Sequence, residues 1–297
     1  MEDYSRSDLA CESGAIGRGE ALPTEVYREE RIGDRTVARL VIDEGRYEEM
    51  FGKPRGTYVT LMCGKIWSMG EEDFEWAAAF LARELRQMCA AVCGREVDRG
   101  FGVLVAGLGN SDITPDAIGP DSVKRLNVTR HLKSLDEKLY RTVGRCEISA
   151  LCPGVLGQTG IETVEIIRGA VENARPDVVV AIDALAARSC ERLAATVQLS
   201  DSGISPGSGI GNNRKAISKE NIGVPVIALG VPTVVDSSTL VYDALRRAGI
   251  EDIRPELKRV LENGRGFFVS PKESDVITER VADLLADAVD RAFTVGE

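Results

Sequence analysis

The spacing of hydrophobic positions changes along the chain and divides it into two parts. In the first part, two β-type runs, Thr36–Ile42 and Thr57–Met62, precede residues 71–93, where apolar residues recur every 3.6 positions up to Gly94. This pattern predicts two strands and a helix. Beyond it, short continuous apolar runs alternate with helical patterns, as expected of parallel strands that are covered on both faces. These runs are Val103–Ala106, Val178–Ile182 and Val226–Leu229.

Capping residues mark where the later helices begin. Thr114 followed by Pro115 predicts a helix start, with Asp116 in the first turn. Capping boxes at Thr159–Glu162 and Ser270–Glu273 predict two more helices, ending near residues 175 and 293. The alternation of strands and helices predicts a three-layer α/β/α fold around a mostly parallel sheet, with the two early strands at one edge.

The chain divides into an arm and one domain. Residues 1–35 are polar and aperiodic and are expected to form an N-terminal arm, whereas residues 36–297 are expected to form a single α/β domain. No apolar run approaches 18 residues and the first residues contain no apolar core, so we expect no membrane span, no secretory signal and a cytoplasmic protein. The seven cysteines, an odd number, favour free cytosolic thiols over a disulfide scaffold.

Charge and composition exclude several kinds of partner. Lys and Arg number 37 and Asp and Glu number 47, which gives a net charge of −10. This charge argues against a protein that binds the phosphate backbone directly, because such proteins need a basic surface. The single histidine excludes most zinc sites that require several imidazoles in one chain.

Two aspartates stand where the fold predicts a site. Open α/β sheets bind ligands beyond the carboxyl ends of their strands. Asp116 follows the first buried strand through the turn Gly107–Asn110, and Asp183 directly follows the second strand. On neighbouring strands the two carboxylates would share one crevice and could act as general base and general acid around one water molecule. Each has a plain structural alternative, since strand-end and helix-start aspartates commonly cap the next turn.

An ordered series of short motifs resembles the germination endopeptidases of spore-forming bacteria, which are atypical aspartic proteases. The match is dense between residues 102 and 236. The matching segments are Gly107–Asn110, Thr114–Pro120, Val128–Leu132, Pro153–Val155, Gly157–Thr163, Ala181–Arg188, Pro206–Asn212, Gly230–Asp236 and Val269–Glu273.

The resemblance implies a function and a site. Proteases of this family degrade small acid-soluble spore proteins at germination, and their catalytic aspartates match Asp116 and Asp183. They are made as zymogens, and the corresponding stretch here implies a pro-segment of about residues 1–8 and cleavage between Asp8 and Leu9. The resemblance also implies a homotetramer in the spore core. It implies a fold like that of hydrogenase-maturation peptidases, which bind nickel at the matching acidic positions. Because His131 is not an obvious third ligand, we expect a site without a metal or other cofactor.

Several assignments stay open at this point. Arg188, Arg214 and Lys215 could support the site or contact an acidic substrate, and each could equally be a solvated surface charge. The position of Asp116 at a helix start favours its ionised form. Three alternatives use the same fold: an enzyme like peptidyl-tRNA hydrolase that would need His131, a metal-dependent maturation peptidase, and a spore protein that binds without catalysis.

Overall fold

The protein is described by a computed structural model over residues 7–13, 16, 19, 21–207, 214–250, 253–263 and 267–295. Within these residues, nine strands form one mixed sheet in the order β1-β2-β3-β7-β8-β6-β4-β5, and β9 pairs with β8. The strands are β1 (Tyr27–Ile32), β2 (Arg35–Ile42), β3 (Gly56–Met62), β4 (Gly102–Gly107), β5 (Glu147–Leu151), β6 (Val178–Ala187), β7 (Thr196–Ser200), β8 (Val226–Asp236) and β9 (Phe268–Val269).

The α/β class and the central parallel strands are confirmed. One side of the sheet is parallel and consists of β8, β6, β4 and β5. The other side is antiparallel: β7 pairs with β8, and β3, β2 and β1 follow it to the edge of the sheet. The two early strands that the sequence predicts, β2 and β3, lie on this antiparallel side.

Helices cover both faces of the sheet. The helices are α1 (Gly45–Phe51), α2 (Glu71–Cys93), α3 (Ile118–Arg125), α4 (Arg130–Leu135), α5 (Glu137–Val143), α6 (Leu156–Thr159), α7 (Thr163–Ala174), α8 (Lys219–Ile222), α9 (Ser237–Arg247), α10 (Pro255–Asn263) and α11 (Ser274–Ala292). Val103, Val105 and Val180 pack toward α2 and α11 on one face. Leu104 and Val179, which alternate with them, pack toward α7 on the other. No helix in the described ranges is long and apolar enough to cross a membrane.

Several boundaries differ from the sequence-based expectation. Residues 1–35 are not aperiodic throughout, because Tyr27–Ile32 forms β1, an edge strand whose four central residues are all exposed. Such a strand lacks the alternation that signals a half-buried sheet face. The box at Thr159–Glu162 does not open a helix at Thr159: Thr159 ends the short α6, and Glu162 is the N-cap of α7. The box at Ser270–Glu273 likewise precedes α11, which begins at Ser274.

Candidate active site

The turn after β4 brings Asp116 to the end of the sheet. A helix does begin at Thr114 with Asp116 in its first turn, but it is a 3-10 helix that ends at Asp116, its N-cap is Ile113 rather than Thr114, and α3 begins only at Ile118. Its carboxylate Oδ2 accepts a hydrogen bond of 2.7 Å from the backbone N–H of Asn110. This bond folds the short segment back onto the turn that follows β4.

Close backbone packing fixes this turn beside β6. A Cβ atom at Gly119 would lie 2.2 Å from the carbonyl oxygen of Leu108 and 2.6 Å from that of Ile182, so only glycine fits there. Gly109 adopts a φ of 112°, which favours glycine, and passes equally close to the backbone of Asp116. The N–H of Leu108 donates to the Ile182 oxygen at 2.8 Å. The turn that carries Asp116 is therefore held against Ile182, the residue before Asp183.

Asp183 lies within β6 rather than at its end. The strand continues to Ala187, whereas β4 stops pairing where Gly107 faces Ile182, so β6 runs on past its neighbour. The side chain of Asp183 is 5% exposed, and its Oδ1 accepts a 3.0 Å hydrogen bond from the N–H of Ala184. The expectation of a strand-terminal aspartate is wrong in detail, but Asp183 still lies beyond the last β4 pairing.

The two carboxyls differ in their electrostatic surroundings. Burial raises the pKa of Asp183 well above its ordinary value, and the charges of Asp116 and Asp8 raise it further. Burial also raises the pKa of Asp116, but the Asn110 N–H works against that shift. Asp183 is therefore the carboxyl that keeps its proton to higher pH, and Asp116 ionises first. The ionised form of Asp116 is supported by one backbone N–H rather than by a helix dipole.

Residues Ser7–Ser13, here called the docked segment, bond to the last part of β6, to the residues that follow it and to Gln198 on β7. The N–H of Asp8 donates to the oxygen of Ala186 at 2.9 Å, and the N–H of Ala186 donates to the Asp8 carboxylate at 2.9 Å. Leu9 is completely buried. It packs in a cluster with Cys11, Ala38, Leu185, Ala187, Leu193 and Val235.

The carbonyl oxygen of Asp8 accepts two hydrogen bonds from distant parts of the chain. Lys53 Nζ donates to it at 2.9 Å, and Gln198 Nε2 donates to it at 3.2 Å. The other side of the Gln198 amide, Oε1, accepts the N–H of Ala10 at 2.6 Å. The backbone on both sides of the Asp8–Leu9 bond is thus held by side chains.

Glu12 holds the far end of the docked segment. Its buried carboxylate accepts the backbone N–H of Arg188 at 2.7 Å, the N–H of Ser189 at 3.2 Å and the Ser7 hydroxyl at 2.6 Å. A groove of about 660 Å³ continues from this point and is lined by Arg188 and Arg192 among other polar residues.

The remaining sequence-predicted residues fall in different places. Arg188 contacts the docked segment, with Nη1 at 3.5 Å from the Glu12 carbonyl oxygen. Arg214 is half-buried and Lys215 is exposed. The glycine-rich stretch before them, residues 208–213, lies outside the described residues. His131, which the peptidyl-tRNA hydrolase alternative requires, is exposed on α4. No group of three or more His, Cys, Asp or Glu side chains in the described part of the chain is arranged to hold a metal ion.

Sequence reasoning missed Gln198 and Lys53, which contact the docked segment, and Glu12 within it, which bonds to the backbone of Arg188 and Ser189. Gln198 carries a weak signal, because it is a polar residue in a wholly buried strand, β7. Lys53 stands in an ordinary-looking turn, and Glu12 is one of many charged residues near the start of the chain. Neither has a spacing that points to a site.

The sequence comparisons with known proteins agree on one family. A family model described as germination protease matches residues 18–248. A germination protease from Caldanaerobacter subterraneus subsp. tengcongensis is 36% identical over 314 residues, which cover 98% of this chain and 94% of the relative. The germination protease of Bacillus subtilis is 43% identical over 245 residues, covering 81% and 66%. A solved NiFe hydrogenase maturation protease from Thermococcus kodakarensis aligns at a TM-score of 0.34 and 18% identity, over 64% of this chain and 92% of that chain.

Proposed function

This chain belongs to the germination protease family, and from that premise we propose that it is an aspartic-type endopeptidase made as a self-processing zymogen. Membership alone implies a spore germination peptidase. The proposal goes further and specifies the bond that is cleaved, the catalytic residues and the substrate. The chain cuts itself between Asp8 and Leu9 with Asp116 and Asp183, and then cuts small acid-soluble spore proteins.

One observation carries the proposal: the Asp8–Leu9 bond belongs to a segment that pairs with β6, the strand that carries Asp183. Asp8 pairs with Ala186, three residues beyond Asp183 on the same strand. The charge of Asp8 also raises the pKa of Asp183, which means that the two side chains are close enough to interact. Water attack requires a peptide bond next to two carboxyls with different proton affinities, and we propose that Asp116, whose charge acts on Asp183, supplies the second carboxyl.

In the proposed reaction one carboxyl accepts a proton and the other donates one. The ionised Asp116 takes a proton from a water molecule as its oxygen bonds to the Asp8 carbonyl carbon. The protonated Asp183 then gives its proton to the nitrogen of Leu9 as the carbon–nitrogen bond breaks. The products are a new carboxylate on Asp8 and a new amino terminus on Leu9, and the pair returns to its starting protonation after a proton passes between the two carboxyls.

Contacts of the docked segment support a sequence preference. The Asp8 carboxylate accepts a backbone N–H, Leu9 fills an apolar cluster, and Glu12 accepts two backbone N–H groups. A substrate with an acidic residue before the cut, an apolar residue after it and a further acidic residue three positions beyond would reproduce these contacts. We propose that small acid-soluble spore proteins bind in this way.

The test follows self-processing by intact mass spectrometry. The unmutated chain is expected to lose residues 1–8 and to begin at Leu9, whereas Asp116→Asn and Asp183→Asn are expected to stay whole while folded. Asp43→Asn, at an exposed position, is the matched control and is expected to process normally. Normal processing in either dyad variant would reject the dyad, and a new terminus elsewhere would reject the bond.

Two further arms test the substrate and the alternatives. The processed protein is expected to cut a purified small acid-soluble spore protein, at an acidic–apolar pair, and to do so equally with and without a chelator. Loss of cutting on chelation and its return with added metal would favour a maturation-type metallopeptidase. No cleavage of any kind by the unmutated chain would favour a binding protein.

A further inference from the structure

Two side-chain donors converge on the oxygen of a single peptide group. The Asp8 carbonyl oxygen receives Lys53 Nζ at 2.9 Å and Gln198 Nε2 at 3.2 Å. Paired donors on one carbonyl oxygen are the arrangement that stabilises the charge formed when a nucleophile adds to the carbonyl carbon. The proposed scissile bond is the one whose carbonyl carries both donors.

The two donors come from separate elements and are not local capping contacts. Lys53 stands in the turn between α1 and β3, and Gln198 lies on β7. Their sequence separations from Asp8 are 45 and 190 residues. The fold itself therefore brings a cation and an amide to this one oxygen.

The surroundings strengthen the cation's effect. Lys53 is half-buried and Gln198 is 8% exposed, so water screens the two contacts only in part. Burial lowers the pKa of Lys53, and the charge of Asp8 works against that shift. A partly desolvated ammonium interacts more strongly with a developing negative charge than one in bulk water.

We propose that Lys53 and Gln198 form the oxyanion site of this peptidase, an inference that rests on the proposed cleavage of the Asp8–Leu9 bond. As the water oxygen bonds to the Asp8 carbonyl carbon, the π electron pair of the carbonyl moves onto its oxygen. Lys53 and Gln198 hold that oxygen through hydrogen bonds and neither gains nor loses a proton. When the carbon–nitrogen bond breaks, the pair returns to the carbonyl.

A purely structural role for Lys53 makes a different prediction. Lys53 Nζ also donates to the Ser7 carbonyl oxygen at 3.2 Å, so it could serve only to hold the docked segment. In that case its removal would weaken docking and cutting by the same factor. An oxyanion site requires that cutting falls by more than docking, because the interaction strengthens in the transition state.

The test compares cutting and docking in matched variants. Lys53→Met is expected to slow self-cleavage by about 10²- to 10³-fold, the usual cost of one oxyanion donor. Gln198→Glu keeps an acceptor for Ala10 but loses the donor to Asp8, and is expected to be slowed at least as much. Lys53→Arg keeps a cation and is expected to cut faster than Lys53→Met. Lys138→Met, at an exposed position on α5, is the control.

Docking is read separately by hydrogen exchange at the Asp8 and Ala10 amides, in an Asp183→Asn background that cannot cut. Lys53→Met is expected to lower the protection of these amides by a smaller factor than it lowers the rate of self-cleavage. Normal cutting by Lys53→Met and Gln198→Glu, or equal losses of rate and protection, would overturn the oxyanion site while leaving the proposed function intact. Absence of cutting in the unmutated chain would overturn both.

Discussion

Leu9 anchors the docked segment, and its truncation has a calculable cost. The side chain is 0% exposed and packs in an apolar cluster with Leu185, Ala187 and Val235. Leu9→Ala removes roughly three buried carbons at about 0.8 kcal/mol each, which is about 2.4 kcal/mol. A rigid site would add a cavity term and reach about 3–5 kcal/mol. Because the docked segment is not a strand of the sheet and can settle into the space, we expect about 2–3 kcal/mol.

This loss is measurable as faster exchange of the amides that the docked segment protects. The Asp8 and Ala10 amides bond to Ala186 on β6 and to the Gln198 side chain on β7, so they exchange only when the segment leaves these partners. In the Asp183→Asn background, a cost of about 2–3 kcal/mol lowers their protection by about 30- to 150-fold, at about 1.4 kcal/mol per factor of ten.

Two controls frame the result. Leu9→Met conserves volume and is expected to cost less than about 1.5 kcal/mol. Val276→Ala changes a side chain that is 52% exposed on α11 and is expected to leave both amides unchanged. Equal protection in Leu9→Ala and in the unmutated background would refute the argument, because it would mean that Leu9 is not what holds the segment.

Three further predictions concern the carboxyl pair and its support. The rate of self-cleavage is expected to rise with pH as Asp116 ionises and to fall again at higher pH as Asp183 loses its proton. Both changes are expected above the ordinary aspartate pKa of 3.8, because both pKa values are raised. A rate that does not depend on pH would contradict the roles given to the two carboxyls. The raised pKa of Asp183 in the folded state means that its contribution to stability is fully present below about pH 3.8 and is lost as pH rises through the folded-state value. Asp183→Asn is therefore expected to have a higher Tm than the unmutated chain at pH 7, with the gap closing toward pH 4; equal Tm values at pH 7 would count against the burial argument. Gly119→Ala is expected to lower Tm and abolish self-cleavage, because its Cβ would lie 2.2 Å from the backbone oxygen of Leu108. The control is Gly169→Ala on α7, where the added Cβ would meet no neighbouring atom within 4 Å. This variant is expected to keep its activity and to gain about 0.5–1 kcal/mol of stability.

The parts of the fold that could be predicted are those with a clear hydrophobic period. Strands β2 and β3 and helix α2 match the expected ranges within a residue, because each has the alternation or 3.6-residue spacing of its element. The full length of β6 could not be read in this way. Its later residues pair with β8 and with the docked segment, and neither pairing can be predicted from the hydrophobic pattern of β6 itself.

The residues of the candidate site likewise include some that local sequence predicts and some that it does not. Asp116 and Asp183 could be singled out because each follows a predicted buried strand, and strand ends are where α/β sheets form sites. Lys53 and Gln198 could not, since their role depends on a chain segment from 45 or more residues away. Tertiary contacts of that range have no local period or motif.

The most direct test of the central claim is a crystal structure of the uncut Asp183→Asn chain. The account predicts the Asp8 carbonyl oxygen in contact with Lys53 Nζ and Gln198 Nε2, and a water molecule about 2.6–3.2 Å from the Asp116 carboxylate, facing the Asp8 carbonyl carbon. A structure in which the Asp8–Leu9 bond lies away from both residues 116 and 183 would contradict it.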